Sequence, residues 1–69
     1  GFRFFFYSDE ENEPPHIHVE KGKGRGKYWT DPVKKDYMKN FNKQEEKKVE
    51  DIVEKEQGFF KKKWYEYFG

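Results

Sequence analysis

A chain of 69 residues, 22% aromatic and 42% charged and without cysteine, is bounded to one small domain that holds together without disulfides. Its 15 basic and 14 acidic side chains leave a formal charge of +1, so net charge alone gives no reason to expect nucleic acid. The longest apolar run, Phe4 to Tyr7, is too short for a transmembrane helix, and no charged-then-apolar leader marks a secretory signal, so no membrane partner and a cytoplasmic address are expected.

Phe2, Phe4 and Phe6 alternate with Arg3, Phe5 and Tyr7, a period of two that predicts a strand over residues 2–8, covered on both faces. Residues 8–15 are polar and acidic and end in Pro14-Pro15, which cannot donate to a ladder and so close a loop. His16-Ile17-His18-Val19-Glu20 alternates again: Ile17 and Val19 point inward, and His16, His18 and Glu20 share the other face. Turn glycines follow, then the extended pattern resumes to Thr30, so residues 16–30 read as a hairpin that Asp31-Pro32 ends. Residues 33–41 fit a short strand or an irregular crossing equally well.

Asn42 with Glu45 forms the pattern of a capping box. Behind it Val49, Ile52, Val53, Phe60, Trp64, Tyr67 and Phe68 fall at helical spacing, which predicts a helical region over 43–68, one long helix or two pieces hinged at Gly58. The expected fold is therefore α+β in a single domain over 1–69, a small antiparallel sheet of about three strands packed against that helix. With 8 Phe, 5 Tyr and 2 Trp but no Leu or Ala, the core is built mainly from rings. A domain of this size buries only about 60% of its unfolded surface, so a bound ligand or a homodimer would support it. Position 1 is Gly, not Met, which suggests a start inside a longer gene product.

The sharpest chemical feature is Pro14-Pro15-His16-Ile17-His18. Two imidazoles two residues apart on a strand point the same way, and neutral imidazole suits a divalent transition metal. Asp9, Glu10, Glu11, Glu13 and Glu20 are the nearby carboxylates that could complete a site, and none has diagnostic spacing. The plain alternative is a pair of half-exposed histidines bonded to those acids. The second feature is Lys21-Gly22-Lys23-Gly24-Arg25-Gly26-Lys27, in which cations alternate with glycines and Tyr28 and Trp29 follow. Glycines let backbone approach a phosphate, and rings beside cations hold single strands or nucleotides. A solvated hairpin turn explains the same residues, and the pattern is not a P-loop. Ser8 and Thr30 lie in no nucleophile motif.

The segments Gly1 to Ser8, Glu13-Pro14-Pro15-His16-Ile17-His18-Val19, Lys27 to Val33 and Trp64-Tyr65-Glu66-Tyr67-Phe68 together resemble a small bacterial family catalogued as domain of unknown function 4160. The Pro-Pro-His-x-His segment is the most specific part. The resemblance implies short cytoplasmic or phage-borne proteins encoded beside a second small protein, hence a partner protein and a toxin–antitoxin-like pairing, and it implies no reaction. The chain departs from that pattern at Arg25-Gly26, Glu46 and Gly58.

Three functions follow as expectations. The leading one is a non-enzymatic binding module that engages a phosphate-bearing ligand, nucleotide or nucleic acid through His16, His18, Lys21, Lys23, Arg25, Lys27 and Trp29. The others are a metal-dependent hydrolase or nuclease built on His16 and His18, and a protein-interaction subunit in which both histidines are structural.

Overall fold

The computed structural model describes residues 1–69, in the order β1 (Arg3–Phe5), β2 (His16–Lys21), β3 (Gly24–Thr30), β4 (Val33–Lys39), α1 (Lys43–Lys55) and α2 (Gln57–Phe68). All strand pairs are antiparallel and the sheet order is β1-β2-β3-β4, so sequence neighbours pair directly. Both helices cover one face of this meander. The fold is α+β as expected, with four strands in place of about three.

Alternation sets which face each residue serves. On the helix side Ile17, Val19 and Tyr28 meet Val49 and Val53 of α1, with Phe2, Phe4, Phe6, Met38, Phe41 and Phe60 packed around them. Val49 and Val53 have no exposed surface, and burying a valine contributes about 1.5–3 kcal/mol. On the open side the cross-strand pairs Arg3↔Glu20, Phe5↔His18, His18↔Lys27 and His16↔Trp29 form a second surface of rings and charges. Trp29 and Tyr28, equivalent from composition, are thereby separated: Tyr28 is core and Trp29 belongs to the open face.

The undecided segment 33–41 is largely strand, and its pattern was obscured by a register shift. Val33 and Met38 are an odd number apart and would lie on opposite faces of a regular strand. The irregularity opposite Lys27 and Tyr28 leaves Val33 opposite Thr30 and Met38 opposite Gly26, both toward the helices. Three other expectations need correction. The first strand is Arg3–Phe5 and not 2–8, because the chain beyond Phe5 leaves the ladder to enter the acidic loop. The helical region divides at Glu56, two residues before Gly58, which sits inside α2 with open space at its Cβ position. Gln57 anchors the break by donating from Nε2 to the Thr30 carbonyl at 3.0 Å. Tyr67, expected in the core stripe, is 60% exposed. The Asn42–Glu45 capping box is present in both directions.

The glycines of the basic segment serve packing. Gly22 carries φ +57 at the first position of the β2–β3 turn, where a tight hairpin requires a positive φ. A Cβ at Gly24 would stand 2.6–2.9 Å from the Phe41 ring, and one at Gly26 would collide with Met38. The close approach is thus made by the protein's own core, on the face away from solvent, and not by a phosphate as the cation–glycine alternation suggested.

Two predictions follow from this packing. Gly24→Ala displaces a core ring and is expected to destabilise the domain by about 1–3 kcal/mol in denaturant melts, as overpacking does. Tyr28 is buried with its hydroxyl 3.3 Å from Glu50, and burial first, then the Glu50 charge, pushes its phenol up to about 12. A raised folded-state value means its contribution is complete below the ordinary phenol range near 10 and is lost as pH climbs through about 12. Tyr28→Phe should therefore lose less stability than the parent between pH ~10 and ~12; equal slopes for both proteins would show that Tyr28 is not the responsible group.

Candidate metal centre

The loop between β1 and β2 folds back over the open face and delivers one carboxylate to both histidines. Glu10 Oε2 lies 2.8 Å from His18 Nε2 and 3.0 Å from His16 Nε2. The donor atoms of Glu10, His16 and His18 all lie within 4.8 Å of one another. Donors held about 2.0–2.1 Å from one ion stand roughly 3 Å apart, so the two carboxylate–imidazole spacings already match a shared cation. Asp9, Glu11 and Glu20, equal candidates in the sequence, are elsewhere: Glu20 pairs with Arg3 and Arg25 at the other end of β2.

Each of the three side chains is held by a contact of its own. The backbone N–H of Tyr7 donates to Glu10 Oε1 at 2.7 Å, which leaves Oε2 for the imidazoles. The carbonyl of Pro14 lies 2.9 Å from His16 Nδ1, so Nδ1–H donates there and Nε2 is the nitrogen that faces Glu10. His18 is stacked on Phe5 with ring centroids 5.5 Å apart, and Tyr7 meets it edge-on at 5.1 Å. His16 is 1% exposed, closed in by Trp64 of α2 at 4.7 Å and by Trp29 at 5.5 Å. It is therefore not the half-exposed strand histidine that alternation alone suggests.

These contacts leave an imbalance at the centre. His18 donates one proton to Glu10. His16 gives Nδ1–H to Pro14, and its Nε2, 3.0 Å from Glu10 Oε2 and poorly aligned for a hydrogen bond, is buried with no other hydrogen-bond partner. An imidazole nitrogen and a carboxylate oxygen this close in a buried site share a cation between them, either a proton or a metal ion. Burial would raise the Glu10 carboxyl, but hydrogen bonds from His18 and the Tyr7 N–H, with the nearby His16, outweigh it and hold the group below the usual carboxylate range. The ionised form a metal requires is thus the favoured one. Pro14 and Tyr7 supply the contacts that orient His16 and Glu10, as outer groups do around a metal, and both act through the backbone, which carries no side-chain signal in the sequence.

The basic residues do not converge on the histidines. Lys27 is beside His18, with its ammonium 4.3 Å from the Trp29 ring centroid and 2.6 Å from Glu13. Burial would lower Lys27, but the Glu13 bond and carboxylates around it win and raise it; the same bond lowers Glu13. Arg25 turns back to the carbonyls of Gly22 and Gly24. Lys21 lies on the helix side, over the Phe2 ring and 3.2 Å from Glu45. Lys23 is exposed at the hairpin tip. Of the seven candidate ligand residues, His16, His18, Lys27 and Trp29 share one surface, while Lys21, Lys23 and Arg25 cluster at the opposite end of the hairpin.

No curated protein and no solved structure matches this sequence. One family model does, described as domain of unknown function (DUF4160), over residues 1–65. That span takes in the loop carboxylate, both histidines, all four strands and most of α2, and the chain belongs to that family.

Proposed function

We propose that this chain is a small non-enzymatic module in which Glu10, His16 and His18 hold one divalent transition metal, and that the ion fixes the β1–β2 loop against the sheet. The observation that carries this reading is the convergence of Glu10 Oε2 with His16 Nε2 and His18 Nε2, at 3.0 and 2.8 Å, in a largely buried site. Two imidazoles and one carboxylate suit zinc and the ions near it in ligand preference. A hydrolytic centre keeps a ligand position open to water and substrate. Here the side chains of His16, His18 and Glu10 are 0%, 12% and 13% exposed, which favours an organising ion over the hydrolase or nuclease alternative. A phosphate site at the basic hairpin has less support, because Phe41 and Met38 fill the space beside Gly24 and Gly26.

Stripping the protein with EDTA and restoring zinc tests the reading. Native mass spectrometry should show one ion per chain. Zinc at about 100 times its Kd should add about 2.7 kcal/mol and raise Tm by roughly 10–20 °C for a domain of this size. Glu10→Gln, close in shape and without the charge, should weaken metal binding by at least about tenfold while the domain stays folded. A chain that takes up no ion, or whose Tm zinc leaves unmoved, ends the proposal.

A further inference from the structure

We infer that a cleft on the far side of Pro14 is a second binding site, one that receives the planar ring of a nucleotide and meets its phosphate with Lys34. The cleft is lined by Pro14, Trp29, Asp31, Pro32 and Lys34. At about 180 Å³ it is smaller than the 300–1,000 Å³ of sites that enclose a whole drug-sized ligand, so it admits one ring and leaves the remainder outside. Its walls suit a ring. Trp29 offers an indole and the two prolines offer rigid apolar surfaces without backbone donors.

Polar groups at the rim select what the ring carries. Trp29 and Lys34 are cross-strand partners, which places the Lys34 side chain beside the indole on the open face. Lys34 is exposed and makes no ion pair, unlike Lys27, which Glu13 and Asp36 engage, and Lys35, which Glu46 engages. An apolar slot next to an uncompensated cation fits a flat ring joined to an anion. Asp31, 3.7 Å from Lys61, presents a carboxylate that accepts from an exocyclic amine, which adenine, cytosine and guanine carry and uracil and thymine lack. A free mononucleotide and the end of a single strand share this chemistry.

The indole Nε1–H signals in two-dimensional NMR test the site, because the protein has only two tryptophans and Trp64 is 4% exposed in the core. Adenosine monophosphate should shift the Trp29 signal and leave that of Trp64 in place. Adenosine should bind more weakly by about three- to tenfold, the scale of one partly exposed charge contact, and Lys34→Ala should bring the nucleotide down to adenosine's affinity. A four-residue adenylate strand that binds more than tenfold tighter would identify a strand end as the ligand, and equal affinities a free nucleotide. A Trp29 signal unmoved at millimolar nucleotide, or equal affinities for adenosine and its monophosphate, would overturn the proposal. A Trp29 shift by adenosine monophosphate that persists in EDTA separates this site from the metal centre, since Trp29, Pro32 and Lys34 are not ligands of the ion.

Discussion

The carboxylate of Glu10 ties the acidic loop to the open face of the sheet. One oxygen is held by the Tyr7 N–H at the loop's start, and the other meets both imidazoles on the strand that follows. The prolines 14 and 15 make this closure short and stiff, and the Pro15 carbonyl accepts from the Thr30 N–H at 3.1 Å, so the loop's end is pinned to β3 as well. Glu13 then falls beside Lys27. A segment that composition describes as a solvated acidic loop is in fact a lid with three fixed points, and its Glu10 carboxylate completes the enclosure of His16 that Trp64 and Trp29 begin.

The need for such a closure follows from the core. On the helix side the sheet is sealed by two fully buried valines and a ring of half-buried phenylalanines. On the other side no second layer exists, and a four-stranded sheet open on one face leaves its rings wet unless loops cover them. Domains this small commonly add a metal, a disulfide or a partner to what their cores supply. With no cysteine in the chain, a metal joining a loop carboxylate to two strand imidazoles would serve the same end as a disulfide between loop and sheet.

Much of the fold was legible because period-two and helical spacing report directly on burial. Ile17 and Val19 inward, the 16–30 hairpin, the Asn42 cap and Val49 and Val53 facing the sheet all follow from spacing alone. What was not legible depends on geometry that spacing does not carry. The register shift in β4 inverts the phase between Val33 and Met38, so neither template fits. Gly24 and Gly26 look like ligand-approach glycines until Phe41 and Met38 are seen against them, contacts more than ten residues away in the chain. At the candidate centre both histidines were visible and their carboxylate was not, because five acids lie within reach in sequence and only the turn after Tyr7 selects Glu10.

Pro14 joins the two proposed sites. Its carbonyl accepts from His16 Nδ1 and its ring forms a wall of the cleft beside Trp29. An ion held by Glu10, His16 and His18 would restrict the loop at Glu10 and the His16 ring at Nε2, and through Nδ1 the position of Pro14. A ligand entering the cleft would then meet a wall already positioned by the ion, which would lower the ordering cost of binding there. Reciprocity of linked equilibria requires the converse, that a ring seated against Pro14 tightens the hold on the metal by the same factor. The coupling needs no change of fold.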